Sequence, residues 1–195
     1  MPMSTPDSFS NEEPTLPDLL ATGLRVVFIG INPSRYSVER GHYFARPANR
    51  FWAALSESRL SEDARAALGR AMLRPDDDRA LPASGLGFTD IVKRPTAAAS
   101  ELRAADFVTG APLLLAKLGA YGPRIACFQG ATALRPFLRY ALGERPVKLD
   151  FGLQPFRLGT TTIFLTPNPS PANATYRLTD LIRWFDALAD TSVGQ

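Results

Sequence analysis

Four short apolar runs, each stopped by glycine or by a polar turn, constrain this chain more than any other feature. They are LRVVFIG (24–30), LGFTDIV (86–92), RIACFQG (124–130) and TTIFLT (161–166). Runs this short, without polar alternation, read as strands buried on both faces. Segments of helical periodicity separate them, and strands alternating with helices imply a mostly parallel sheet covered on both sides. The expected fold is α/β: a three-layer αβα sandwich around a short, mainly parallel central sheet.

The helical segments have their own signatures. NRFWAALSESRL (49–60) places Phe51, Trp52 and Leu55 at helical spacing, and SEDARAALGRAM (61–72) follows with Ser61 as its cap. APLLLAKLGAYG (111–122) ends at glycine. ATALRPFLRYALG (131–143) carries Pro136 inside its pattern, which predicts an early start or a kink. TYRLTDLIRWFDALAD (175–190) closes the chain with Leu178, Leu181, Ile182, Phe185 and Leu188 on one face. VKLDFG and PFRLG suggest a hairpin-like excursion, and 74–85 is a turn-rich loop. Residues 1–17 are polar, proline-bearing and without periodicity, so a flexible tail is expected there, followed by one catalytic domain over 18–195.

Composition excludes several chemistries. The 195 residues suffice for one domain with a substantial core. The only cysteine, Cys127, forms no internal disulfide or Cys cluster and reads as a small core residue. The only histidine, His42, rules out a multi-histidine metal centre. No run approaches the roughly 18 to 20 apolar residues of a membrane span. The first 20 residues carry four acidic and no basic side chains, which argues against a signal peptide and for the cytosol. With a net charge of +3 for the whole chain, the rest carries +7, and a basic body suits a polyanion.

Two of the apolar runs end alike. VVFIGINPS (26–34) and IFLTPNPSP (163–171) both run into Asn-Pro-Ser. Proline fixes its own φ and holds the preceding asparagine extended, so each amide has a fixed aim. In open parallel sheets ligands bind beyond the carboxyl ends of the strands, where both motifs sit. Two rigid turns would also suit structure alone. No Walker phosphate loop, dinucleotide fingerprint or nucleophile elbow is present.

The block LRVVFIGINPS, followed by HYFARPANRFW, then GFTDIVKRPT (87–96) and LTPNPSP, resembles the mismatch-specific branch of the uracil-DNA glycosylase superfamily, which includes the thymine-DNA glycosylases. The likeness runs from residue 23 to about 190. It implies excision of uracil, and of related lesions, from mismatched double-stranded DNA such as G·U. The nucleotide flips out and water attacks C1′, leaving an abasic site, with no metal or organic cofactor. Asn32 is implied to position the water and Phe44 to stack on the flipped base. Main-chain groups of Ile31 and Phe44 would contact the uracil edge. The late loop, with Asn168, Ser170, Pro171, Ala172 and Asn173, would enter the minor groove. Ser34 and Arg35 are candidate DNA contacts, a monomer is expected, and no lysine is placed for Schiff-base chemistry.

Some positions depart from that pattern. Relatives carry a bulkier wedge and an arginine where this chain has Ala172 and Ala174, which predicts weak reading of the orphaned guanine unless Tyr176 or Arg177 compensates. Asp90 puts a carboxylate near the expected pocket. Other branches activate water with an aspartate, so Asp90 is a candidate general base; plain burial, a helix cap and an ion pair with Lys93 are its structural alternatives. His42 reads as a loop residue, Asn49 as a helix cap and Arg46 as a phosphate contact. The competing classes are a catalytically silent nucleic-acid-binding domain and a uracil-excising branch acting on single strands.

Overall fold

A computed structural model describes residues 14–193. Five strands form one sheet: β1 (Val26–Gly30), β2 (Leu86–Asp90), β3 (Ile125–Gln129), β4 (Gly152–Leu158) and β5 (Thr161–Thr166), in the order β2-β1-β3-β5-β4. The four strands expected from the apolar runs are parallel, and β4 alone is antiparallel, hydrogen-bonded to β5 at the edge. The hairpin-like excursion is this β4–β5 pair. Among the described residues six α-helices accompany the sheet: α1 (Arg35–Arg40), α2 (Phe51–Glu57), α3 (Glu62–Leu68), α4 (Ala104–Tyr121), α5 (Ala131–Phe137) and α6 (Leu178–Val193).

Alternation along the strands separates two cores. Val26, Phe28, Phe88, Cys127 and Phe164 face one way, against α2 (Phe51, Trp52, Leu55) and α6 (Leu181, Phe185, Leu188). Val27, Ile29, Ala126, Phe128, Ile163 and Leu165 face the other, against α4 (Leu114, Leu118) and α5 (Leu134, Phe137). The three-layer sandwich is thus the observed architecture. Cys127 is fully buried, and burial pushes its thiol far above the ordinary value, as suits an inert core residue.

Several boundaries differ from those the sequence suggests. α4 begins seven residues earlier, because Gly110 lets the helix lie against the backbone of β2's exit: a Cβ there would meet Ile91 O at 2.1 Å. α5 ends one residue beyond Pro136 and continues as a π-helical turn, Leu138–Leu142, where the missing proline N–H breaks the regular ladder. A short helix, α1, follows the first Asn-Pro-Ser directly, with Ser34 as its cap accepting from Ser37 N.

The expected tail of residues 1–17 lies outside the described residues as far as position 13, but its last residues are held to the body. Leu16 is buried in the core. Thr15 Oγ1 donates to Lys93 O, and Pro17 O accepts from Tyr43 Oη. Next to them, Asp18 accepts from Thr89 Oγ1, Lys93 Nζ (2.8 Å) and Lys117 Nζ (2.6 Å). Burial opposes ionisation of this carboxyl, and the two lysines overcome it, holding it below the ordinary value. Residues 15–17 therefore belong to the body and not to a flexible tail, because an apolar anchor and an ion-paired aspartate tie this strap down.

Candidate active site

The sheet register dictates what stands at the strand ends. Gly30 pairs with Asp90, Ile29 with Phe128, and Gln129 with Thr166. Paired residues in a parallel sheet project to one face, so Asp90, Gly30, Gln129 and Thr166 form a row one step beyond the buried row Phe88, Phe28, Cys127 and Phe164. Glycine in the middle of that outer row leaves a notch. A Cβ on Gly30 would lie 2.3 Å from Asp90 Oδ1. Above the notch is a cavity of ≈ 690 Å³, within the range of small-molecule sites.

Both Asn-Pro-Ser loops reach this cavity. Asn32 Nδ2 donates to Arg94 O (3.0 Å), Thr96 Oγ1 (2.8 Å) and Pro33 O (3.2 Å). The amide is pinned by its donor end, which leaves Oδ1 as its acceptor, and Asn32 lines the cavity. Asn168 Oδ1 accepts from Ser170 N (2.9 Å), and Asn168 O accepts from Asn173 Nδ2 (3.0 Å). Gly130, with φ +105°, admits this side chain: a Cβ there would sit 2.9 Å from Asn168 Cβ. The second loop is therefore a self-braced turn against the end of β3.

Phe44 forms an aromatic wall. Its ring stacks on Phe51 at 4.1 Å and 17°, and Phe51 meets Phe28 edge-on at 5.0 Å. One face of Phe44 rests on the core and the half-buried ring lines the cavity. Its φ of +51° is the only positive value at a non-glycine among the described residues. A bulky side chain in that region is strained, and its neighbours hold it there. Asp78 accepts from Tyr43 N (2.9 Å) and meets His42 Nδ1 (3.0 Å), while Trp52 Nε1 donates to Tyr43 O (2.9 Å). His42 is thus a loop anchor.

Asp90 is 4% exposed and lines the same cavity. Its Oδ2 has no hydrogen-bond partner among the described residues. Burial pushes the carboxyl up to about 7, with Asp18 raising it further and Lys93 and Lys117 opposing. Of the structural alternatives for Asp90, burial is observed, while the carboxyl caps no described backbone N–H and Lys93 hydrogen-bonds to Asp18, acting on Asp90 only through its charge. A buried carboxyl titrating near neutrality in a cavity suits a proton acceptor.

The cavity brings together Ile31, Asn32, Ser34, Phe44, Asp90, Asn168, Ser170, Pro171, Ala172 and Asn173. Arg35 is outside it, exposed on the first turn of α1, because the chain turns into a helix directly after Ser34. Ser34 Oγ is engaged in capping, and the Ile31 carbonyl already accepts from Val92 N. Asn49 Oδ1 accepts from Phe51 N at 2.9 Å, as a cap should. Arg46 is exposed at the rim.

Arg50 is a contributor that motif reading missed. Its guanidinium donates to Ser170 O (2.9 Å), Asn173 O (2.8 Å) and Tyr176 O, and more weakly to Pro169 O (3.4 Å). One side chain next to the aromatic wall therefore holds the late loop by its carbonyls. Arg50→Ala is expected to speed amide exchange across residues 170–176 about 10- to 100-fold, read by hydrogen-exchange mass spectrometry. Unchanged exchange there would show that the loop holds itself.

The family model described as "Uracil DNA glycosylase superfamily" matches residues 17–189. A G/U mismatch-specific uracil DNA glycosylase of Schizosaccharomyces pombe is 32% identical over 163 residues, covering 83% of this chain and 48% of that protein. The chain thus spans about half the length of that relative. A solution NMR structure of a candidate uracil DNA glycosylase from Methanosarcina acetivorans shares the fold, with a TM-score of 0.52 and 19% identity, over 89% of this chain and 96% of that one. A match across nearly the whole folded part, on a sheet whose strand ends carry both Asn-Pro-Ser loops, places the chain in the uracil DNA glycosylase superfamily.

Proposed function

We propose that this chain is a monofunctional DNA glycosylase that releases uracil, and related lesions, from mismatched double-stranded DNA and leaves an abasic site. The observation that carries the reading is the convergence of Asn32, Asp90 and Phe44 on one cavity at the strand ends. A base inside a duplex is out of reach, so the nucleotide everts at a cost of a few kcal/mol, least at a mismatch. Stacking on the open face of Phe44 offsets about 1–3 kcal/mol of that. Asn32 Oδ1 and the Asp90 carboxylate hold one water below C1′. The water oxygen bonds to C1′ as the C1′–N1 bond breaks; the bonding pair leaves with uracil as its anion, and the water proton passes to Asp90. The loop from Asn168 to Asn173, held by Arg50, fills the space left in the duplex. The enzyme acts as a monomer, in the cytosol, on DNA alone.

Ala172 and Ala174 are exposed and small, so the loop is a weak wedge. That favours a second feature of the reading: uracil in single strands, where nothing must be wedged open, is a substrate of comparable quality. The test is abasic-site formation on oligonucleotides carrying uracil in G·U, A·U and single-stranded contexts, with alkali to reveal the sites. Release is expected from G·U and from the single strand, without strand breakage before alkali. Binding to all three without abasic sites would establish a silent binding domain instead.

A further inference from the structure

Among the described side chains two buried polar atoms have no partner: Asp90 Oδ2 and Gln129 Oε1. They are not scattered. The register sets them in the same outer row on either side of Gly30, at the ends of β2 and β3, and both residues line the cavity. An unpartnered buried acceptor is destabilising and calls for an explanation at each place it occurs. For Asp90 the glycosylase reading supplies one. For Gln129 nothing in that reading does.

Gln129 is 2% exposed, and its amide is oriented. Nε2 lies 3.3 Å from Cys127 Sγ, two residues back on the same strand face, so the nitrogen points into the core and the oxygen is the end left over. We propose that Gln129 is a substrate-reading residue whose side-chain carbonyl accepts a hydrogen bond from an N–H on the edge of the everted base, for uracil the imide N3–H. This rests on the glycosylase reading of the site. Uracil's polar edge offers two carbonyls and one N–H, and a carbonyl oxygen can meet only the N–H. Thymine carries the same imide, so Gln129 reads the imide without separating uracil from thymine.

The pairing gives the two orphaned acceptors different tasks. Asp90 serves the water and Gln129 the base, with the Gly30 notch between them. A carbonyl is suited to the second task because it has no charge to repel the uracil anion as it forms.

The experiment compares kcat/KM for uracil and N3-methyluracil, whose methyl replaces the imide hydrogen, in otherwise identical G·U-type duplexes. Wild-type protein is expected to favour uracil. Gln129→Leu should lose about 10- to 100-fold on uracil and change little on N3-methyluracil, so that the preference collapses. Its melting temperature should hold or rise, since a buried unsatisfied group is gone; a merely structural glutamine would lower stability and both rates together. Gln129→Met, close in shape, serves in the same way where the leucine variant fails to fold. Wild-type activity on uracil in both variants, or equal losses on both bases, would overturn the role and leave the glycosylase reading standing. Absence of uracil release by the wild-type protein would remove both.

Discussion

Asp90→Asn lowers the single-turnover rate of uracil release from a G·U duplex by about 10²–10⁴, the range of a lost general base. The same change is expected to stabilise the fold at alkaline pH. The folded carboxyl titrates at about 7 against an ordinary value of 3.8, so its contribution to stability is full below 3.8 and is lost as pH rises through 7. By pH 8 the ionised, buried carboxylate costs about 4 kcal/mol as an upper bound. Asparagine removes that dependence, and urea melts at pH 5 and pH 8 should converge. The wild-type rate should climb with pH to a plateau above about 7, and the limb should vanish in the variant. A wild-type rate in Asp90→Asn would remove the catalytic role.

Asn32→Ala is expected to lose about 10²–10³ in the same assay, by analogy with the removal of one preorganised polar group from an active site. Its effect on stability has the opposite sign to that of Asp90→Asn. The amide Nδ2 bridges the first Asn-Pro-Ser loop to Arg94 O and Thr96 Oγ1, and losing it costs about 1–3 kcal/mol. If both side chains hold one water, the double variant should lose much less than the product of the two single losses. Full multiplicativity would show that they act on separate steps.

The parallel strands were legible because burial on both faces leaves a continuous apolar run, and nothing else in the chain looks like that. β4 was legible only as an excursion: an edge strand whose Leu153, Pro155 and Arg157 are exposed, and whose buried Gln154 is polar and bonded to its own turn, gives a weak pattern. The start of α4 was hidden by Thr109 and Gly110, both poor helix formers, of which the glycine permits a close backbone contact. Within the site, Asn32, Asn168 and Phe44 were legible through their motifs, and Asp90 through a carboxylate at a strand end. Arg50 and Gln129 were not. An arginine's reach to carbonyls more than 100 positions away has no local signature, and Gln129 gains its meaning only from the register of β3 against β1. Arg35 shows the converse: beside a motif, yet turned out of the site by a helix that the proline loop starts.

The strap at Thr15–Asp18 reaches further than its length suggests. Asp18 neutralises Lys93 and Lys117, the two cations that pull on the Asp90 carboxyl, and adds its own negative field. Taking that charge away leaves both ammonium groups uncompensated near the Asp90 carboxyl. Asp18→Asn should therefore slide the acidic edge of the rate profile toward lower pH. The acidity at which Asp90 takes up its proton is thus set in part by a segment that supplies no group to the reaction.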